Sequence, residues 1–323
     1  MADHAEDDFD GDIFIYRGGR APQHITHARI DKSVNEIEDN AFGGWRLVQV
    51  DTHNGIRKVG KNAFRICKSL RRINLKSVVE FEEYAFYECE NLESVEFGDR
   101  LETIGIAAFC WCTSLEHIKL PSIITIGRGS FANCAIIDVE LSERLEAIEV
   151  GAFRYCERLQ RIAIPLKRDL FEFNEHLQKY NQFDDCWKLK TVDLVGGIHK
   201  TVASLHMESW RSEMNESINR INQVLLNAHA DDKTFEIRNW MHSVIDKMDH
   251  YKAEHFRYVR EGITLLELAL WKAKLDEREE YECEAEGRTK KVKVDAESAR
   301  KDKRMICGAD MVINNVLPFL QLE

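Results

Sequence analysis

Apolar residues recur along the first half of the chain with a period of about 22 residues. A phenylalanine marks each period, and successive phenylalanines are 22, 22, 23, 22, 22 and 30 residues apart. They are Phe42, Phe64, Phe86, Phe109, Phe131, Phe153 and Phe183, followed three positions later by Trp45, Cys67, Cys89, Cys112, Cys134, Cys156 and Cys186. A unit of this length cannot bury an apolar face alone, so the pattern predicts stacked units that share one core.

Each unit has two halves with different periodicities. Apolar residues five and one before the phenylalanine, the phenylalanine itself and the residue three after it follow the spacing i, i+4, i+5, i+8, which predicts one or two helical turns. The pattern L-x-x-I-x-L comes next, as in Leu115, Ile118 and Leu120. Its alternation predicts a short strand whose flanking residues point outward. The six cysteines of the column fit as small buried hydrophobes rather than as metal or redox groups.

The boundaries of the predicted α/β repeat solenoid are residues 13–195. We expect a capping strand at 25–30 to begin the stack, and a degenerate unit around Phe183 to end it, after a longer polar segment at 167–182. Residues 1–12 contain six acidic and no basic residues, and we expect them to form a disordered acidic tail.

The pattern becomes helical after Gly196 and Gly197. Apolar residues spaced mostly by three or four predict a helical hairpin, or a short coiled coil, over 198–275, with its turn near Asp231 and Asp232. We expect this α-helical region to cap the solenoid. The alternative for its tryptophan and methionine stripe is a partner-binding groove.

The end of the chain is rich in charge. Residues 276–304 carry ten acidic and nine basic residues and predict a disordered linker, followed by a short terminal helix over 305–323. Inside the linker, Lys290, Lys291 and Lys293 precede a second basic cluster at 300–304. Such clusters resemble a nuclear localisation signal, and the alternative is a solvated linker with balanced charge.

The recurring pattern I-x-x-I-x-x-x-A-F-x-x-C-x-x-L-x-x-I-x-L resembles the BspA-type leucine-rich repeat. The segment from Ile104 to Leu120 is a close instance, and the resemblance covers about 25–195. The phrases at 26–34, 209–225 and 307–322 are similar to a set of such proteins with a C-terminal helical extension in unicellular algae. The resemblance implies a leucine-rich repeat fold and a non-catalytic scaffold that binds other proteins, with a surface adhesin or carbohydrate-binding repeat protein as the alternative.

Charge and hydropathy narrow the classes of partner. The net charge of −11, from 45 basic and 56 acidic residues, argues against a nucleic-acid-binding surface. No apolar run approaches the roughly 20 residues that span a membrane. The first residues lack the basic start and apolar stretch of a secretory signal peptide. We therefore expect an intracellular protein, cytoplasmic or, if the basic clusters act, nuclear.

No motif predicts catalysis, a cofactor or a metal. The segment from Gly55 to Lys61 matches the start of a phosphate-binding loop, but it lacks the following Ser or Thr and lies inside a repeat. A thiol enzyme acting through Cys283 or Cys307 is the enzyme alternative, and no positioned base accompanies either residue.

The outward residues of the predicted strands form the candidate binding face. They are of mixed charge and include no aromatic residue, which favours a protein partner over single-stranded nucleic acid or sugar. The alternative is a face that is simply solvated. The candidate partner-binding residues are Arg29, Asp51, Arg72, Asn74, Glu96, His117, Lys119, Asp138, Glu140, Arg161 and Asp193.

Overall fold

The computed structural model describes residues 9–10, 13–44, 46–171, 181–195 and 208–286. The chain divides into two compact units. The described part of the first runs to residue 195 and from 208 to 245, and that of the second from 246 to 286.

The first unit is a β-solenoid in which every turn contributes one strand to a parallel ladder. These strands are β2 (Ile13–Tyr16), β3 (His27–Ile30), β5 (Gln49–Asp51), β7 (Arg72–Leu75), β9 (Ser94–Phe97), β11 (His117–Lys119), β13 (Asp138–Glu140), β15 (Arg161–Ile164) and β16 (Thr191–Leu194). Hydrogen bonding orders them as β2-β3-β5, β7-β9 and β11-β13-β15-β16. Equivalent positions pair directly, as Ile118 does with Val139 and Val139 with Ile162. The strand prediction from L-x-x-I-x-L is confirmed.

A second parallel ladder replaces part of the predicted helical half. It consists of the two-residue strands β4 (Glu36–Ile37), β6 (Lys58–Val59), β8 (Glu80–Phe81), β10 (Thr103–Ile104), β12 (Thr125–Ile126) and β14 (Ala147–Ile148). The second residue of each is the buried position five before the phenylalanine. Phe171 continues this ladder by a parallel bridge to Ile148.

The rest of the predicted helical half is a run of turns, so that part of the prediction is wrong. The unit of Phe64 shows why: the N–H groups of Asn62, Phe64 and Ile66 donate to carbonyls of the next unit at 3.1, 2.7 and 2.8 Å, and the intervening residues bond three positions back. An α-helix cannot form where every second N–H group donates to the next repeat unit, because each N–H group of an α-helix donates to the carbonyl four residues earlier. Residues two before or two after the phenylalanine have φ between 50° and 67°, in the left-handed region: Asn40, Asn62, Ile66, Tyr84, Glu88, Ala107, Trp111, Gly129, Asn133, Gly151, Tyr155 and Asp185.

The centre of the solenoid is a continuous stack of phenylalanine rings. Neighbouring rings from Phe42 to Phe183 have centroids 4.7–5.8 Å apart and interplanar angles of 5–17°. Tyr16 extends the stack onto β2, 4.7 Å from Phe42, and its hydroxyl accepts a hydrogen bond from the Glu38 N–H. The stack therefore begins one strand earlier than the capping strand predicted at 25–30.

The N-terminal segment differs from the predicted disordered tail at two residues. β1 (Phe9–Asp10) pairs antiparallel with β2, with Phe9 opposite Phe14 and Asp10 opposite Ile13. The sequence between the two strands, Gly-Asp, is of a type common in two-residue hairpin connections. The prediction of a disordered tail rested on the acidic composition and did not use this local sequence. Residues 1–8 and 11–12 of the tail lie outside the described residues.

Two helices follow the solenoid, where the sequence predicts a helical hairpin. They are α1 (Glu208–Asn227) and α2 (Lys233–Glu286), separated by a 3-10 turn (Ala230–Asp232). α2 continues past the predicted end at 275 and through 276–286, because this stretch is rich in the strong helix formers Glu, Arg and Ala. The remaining linker, 287–304, and the predicted terminal helix, 305–323, lie outside the described residues. Within the part of the chain that is described, no helix has the length and apolarity needed to cross a membrane.

Polar side chains of the helices complete the hydrogen bonds of the last solenoid unit. The Phe183 N–H donates to the hydroxyl of Thr234 (3.1 Å), and the Val192 N–H donates to the side-chain oxygen of Asn222 (2.8 Å). The ammonium of Lys233, a residue only 2% exposed, donates to three backbone carbonyls. These belong to Cys186, Trp187 and Leu189, at 3.1, 2.9 and 2.6 Å. The helices are thus fastened to the end of the solenoid by polar contacts as well as by packing.

The methionine stripe of the helices is packed rather than open in the first unit. Met214 and Met241 are 4% and 1% exposed, and the indole N–H of Trp240 donates to the hydroxyl of Ser217 at 3.0 Å. The buried methionines of the first unit therefore do not form an open groove that a partner could enter.

Candidate functional site

The eleven candidate binding residues all lie on the strands of the first ladder, between β3 and β16. Those at the first strand position form one row, and those two positions later form a second row beside it. The first row contains Arg72, His117, Asp138 and Arg161, and the second contains Arg29, Asp51, Asn74, Glu96, Lys119, Glu140 and Asp193. The pairing register makes consecutive members of a row direct neighbours, such as Asp138 and Arg161 in the first row and Lys119 and Glu140 in the second.

The outward direction of these side chains follows from the alternation of the strands. In β11, His117 and Lys119 are exposed and the intervening Ile118 is buried at 4% exposure. Neighbouring parallel strands lie about 4.8 Å apart, so consecutive charges along a row are close enough to interact.

Several of the charges already have partners within the face. The Arg161 guanidinium bridges two carboxylates, that of Asp138 at 3.1 Å and that of Asp193 at 2.6 Å. Lys76 pairs with Glu96 at 3.0 Å. Two looser pairs join Arg29 to Asp51 at 3.8 Å and Arg72 to Glu93 at 3.6 Å. Exposed pairs add little stability, but they fix where each charge lies.

The middle of the face differs from its two ends. His117, Lys119 and Glu140 are exposed, and none of their three side chains has a hydrogen bond or ion pair with any residue that the structure describes. Lys119 and Glu140 are direct register partners on neighbouring strands, yet they form no ion pair. The centre of the face thus presents one cation, one carboxylate and one imidazole that are not engaged by the part of the chain that the structure describes.

The column cysteines have a structural role that the sequence pattern does not indicate. Each thiol donates to the carbonyl of the phenylalanine in the preceding unit, at 3.0–3.3 Å, from Cys67 to Cys186. Burial raises the pKa of Cys156 to about 12 and holds the pKa values of Cys89, Cys134 and Cys186 above the ordinary thiol range. These four thiols therefore stay protonated at neutral pH, and a protonated thiol is a poor nucleophile or metal ligand.

The described cysteines are free thiols, and no group of three or more potential ligands within the described ranges is placed to hold a metal ion. Cys283 lies on α2, but its side chain is not described. Cys307 and the basic cluster of Lys290, Lys291 and Lys293 also fall outside the described residues. The thiol-enzyme alternative and the nuclear signal therefore stay predictions.

The repeats match a known family model. The model described as "BspA type Leucine rich repeat region (6 copies)" matches residues 21–96 and 79–201. Together these ranges cover more than half of the chain, from the strand β3 through the unit of Phe183.

Several solved structures are similar to the solenoid. A leucine-rich repeat protein of T. pallidum is 26% identical, with a TM-score of 0.44, over 61% of this chain and 88% of that chain. A leucine-rich cell surface protein of Faecalibacterium prausnitzii is 21% identical, with a TM-score of 0.36, over 56% of this chain and 63% of that chain. A leucine-rich repeat protein of Bacteroides ovatus is 20% identical, with a TM-score of 0.34, over 53% and 55%. No curated protein matches the chain.

Proposed function

Because the chain belongs to the BspA-type leucine-rich repeat family, we propose that it is a non-catalytic scaffold that binds a partner protein through the outer face of the first ladder. Family membership fixes the fold, whereas function depends on the site. The observation that carries the proposal is the centre of this face. There the side chains of His117, Lys119 and Glu140 are exposed and have no partner among the described residues, while charges on either side of them form ion pairs.

The size of the face indicates a modest interface. Nine strands at about 4.8 Å spacing and about 3 residues of about 3.3 Å each give a surface of roughly 40 by 10 Å, or about 400 Å². A standard interface buries about 800 Å² on each partner. The strand face alone therefore suits a transient complex, unless the partner also contacts the edges of the ladder.

The unpaired charges define the chemistry of the partner. We infer a carboxylate opposite Lys119 and a basic group opposite Glu140, because complementary charges set the register of a complex and exclude wrong partners. A complex of this kind weakens as salt concentration rises, since exposed charges are screened within about 10 Å at 0.1 M salt.

The test is capture of partners from a native extract on the full-length chain, with identification by mass spectrometry. The variant Lys119→Glu/Glu140→Lys reverses both central charges without changing the net charge. Lys188→Glu/Glu157→Lys makes the same exchange at exposed residues that follow the column cysteines, outside the strand face. We expect the native chain and the control to retain a protein that the face variant loses. Retention of the same proteins by all three would refute the strand face as the binding surface.

Two finer assignments accompany this proposal. We propose that the chain is one of the algal proteins that its phrases at 26–34, 209–225 and 307–322 resemble. We also propose an intracellular, cytoplasmic location, with nuclear entry through Lys290, Lys291 and Lys293 as the alternative. The intracellular location is supported by the cysteines that the structure describes. They are free thiols, as is usual in reducing compartments.

A further inference from the structure

A cavity of about 500 Å³ opens among the turns of the first units, away from the strand face. Six side chains that can donate hydrogen bonds line it, three of them guanidinium groups and three of them amides. They are Arg20, Arg46, Arg65, Gln23, Asn40 and Asn62. The described lining contains no carboxylate, although the chain as a whole carries a net charge of −11.

The local sequence explains why a cavity forms at this place. The two residues after Phe42 are Gly43 and Gly44, whereas the corresponding turn of the unit of Phe109 carries Cys110 and Trp111. Gly43, Gly44 and Ile66 line the cavity together with the three arginines. A Cβ added at Gly43 or Gly44 would have its nearest neighbour at 3.9 Å, so the space is open and no backbone strain requires glycine there.

The arginines of this cavity differ from the other basic side chains of the same repeats. Lysines nearby pair with glutamates of the next unit: Lys58 with Glu82 at 2.7 Å, Lys61 with Glu83 at 3.3 Å and Lys68 with Glu90 at 2.6 Å. Arg20 and Arg46 have no hydrogen bond or ion pair with the residues described, and the Arg65 guanidinium lies over the Tyr87 ring, 5.5 Å from its centroid.

Three uncompensated guanidinium groups around one cavity point to an external anion. Arg20, Arg46 and Arg65 are all exposed, so an anion in solution can reach their guanidinium groups. The planar donor fork of arginine matches the oxygens of phosphate or carboxylate in pairs, and side-chain amides add further donors. A dianion with three or more free oxygens uses this number of donors better than a single carboxylate does.

We propose that this cavity, lined by Arg20, Arg46 and Arg65, is a binding site for a phosphate group. Its volume lies within the range of about 300–1,000 Å³ that is usual for small-ligand sites, so the phosphate can be carried by a small molecule or by a phosphorylated side chain of a protein. The site is separate from the strand face and does not depend on the function proposed for that face.

The first experiment measures binding of inorganic phosphate to the full-length chain by titration calorimetry, with chloride and acetate at matched ionic strength as reference anions. We expect phosphate to bind more tightly than either. Arg20→Gln/Arg65→Gln should weaken phosphate binding at least tenfold. The control Arg71→Gln/Arg100→Gln removes the same charge from exposed residues outside both the cavity lining and the candidate binding face, and it should leave the affinity unchanged.

A second variant separates the site from general charge. Gly44→Leu places a side chain in the cavity and keeps all three arginines, and we expect it to weaken phosphate binding while retaining the circular dichroism spectrum of the native chain. Phosphate binding no tighter than chloride, or an equal loss in the control pair, would overturn the proposal. A phosphoserine peptide compared with its unphosphorylated form then identifies the source. Tighter binding of the phosphopeptide than of inorganic phosphate indicates a protein ligand, and equal binding indicates a small phosphorylated molecule.

Discussion

Replacement of Phe109 by alanine tests whether the ring stack holds the solenoid together. Phe109 is fully buried and stacks on Phe86 at 5.1 Å and on Phe131 at 5.5 Å. The edges of two further rings contact it, those of Phe81 at 5.2 Å and Phe97 at 5.5 Å. Alanine at this position removes a ring from between two neighbours and leaves a cavity in the middle of the core.

The expected loss follows from these contacts. Truncation of a buried phenylalanine to alanine costs about 3–5 kcal/mol, and each aromatic pair is worth about 0.5–1.5 kcal/mol beyond its buried area. The parallel ladders on both sides hold Phe86 and Phe131 in place, so the cavity collapses poorly. We therefore expect a loss near the upper end, about 5 kcal/mol. Phe42→Ala, near the end of the stack, loses one stacked ring and one tilted ring and should cost about 3 kcal/mol.

The assay is urea denaturation of the full-length chain, followed by far-ultraviolet circular dichroism. Arg72→Ala serves as the control, because its side chain is 78% exposed, and it should change the free energy of unfolding by less than about 0.5 kcal/mol. A similar loss in Phe109→Ala and Arg72→Ala would refute the assignment of the core column. A larger loss in Phe42→Ala than in Phe109→Ala would refute the dependence on neighbouring rings.

Three further predictions concern titration, the end of the solenoid and location. Burial raises the pKa of Cys156 to about 12 from an ordinary value of 9.0, so above pH 9 the unfolded thiol ionises while the folded thiol does not. The free energy of unfolding should therefore fall by about 1.4 kcal/mol per pH unit for this thiol, and Cys156→Ala should flatten the decline in urea melts between pH 9 and 11. Lys233→Met removes the ammonium that donates to three carbonyls, of which that of Cys186 still accepts from the Leu189 N–H at 3.1 Å. It should cost about 2–4 kcal/mol in thermal or urea melts, whereas an unchanged midpoint would contradict the role of the ammonium. Under the nuclear alternative, a full-length fluorescent fusion gives a nuclear signal that is lost when Lys290, Lys291 and Lys293 become alanine. An equal distribution of the native fusion and the variant would exclude a nuclear signal at these lysines.

The buried columns could be predicted from the sequence because burial is periodic, whereas the conformation of the turns could not. The spacing i, i+4, i+5, i+8 fits a helical face as well as a run of turns. The choice depends on left-handed residues, and several of these, such as Tyr84, Glu88 and Trp111, have no intrinsic preference for that region. Hydrogen bonds to the next unit hold them there, and such bonds are visible only once the units are stacked.

The outward residues of the strands could also be predicted, since alternation determines the face. Which of them remain unpaired could not, because pairing depends on the register between strands about 22 residues apart in sequence. The contacts between the helices and the last solenoid unit could not be predicted either. They are made by Lys233, Thr234 and Asn222, and polar residues at the start or on the surface of a helix are usually solvated. The arginines of the cavity come from three separate turns, and only the fold brings them together.

The closure of the two ends of the solenoid has a consequence for assembly. A stack of parallel strands presents unpaired N–H and C=O groups at both ends, and equivalent ends of two molecules can pair head to tail. Such a contact does not close on itself and leads to open fibres. Here the two-residue strand β1, running antiparallel, is the edge strand on one side of the sheet among the described residues.

On the other side, backbone groups of the last unit are bonded to side chains of the helices. Thr234 and Asn222 accept from two N–H groups and Lys233 donates to a carbonyl, and a following unit would otherwise bond to such groups. The helices therefore block this end of the solenoid to the strands of a second molecule. A chain that ends at residue 195 would present β16 as a free edge, and molecules of it would add to one another end to end.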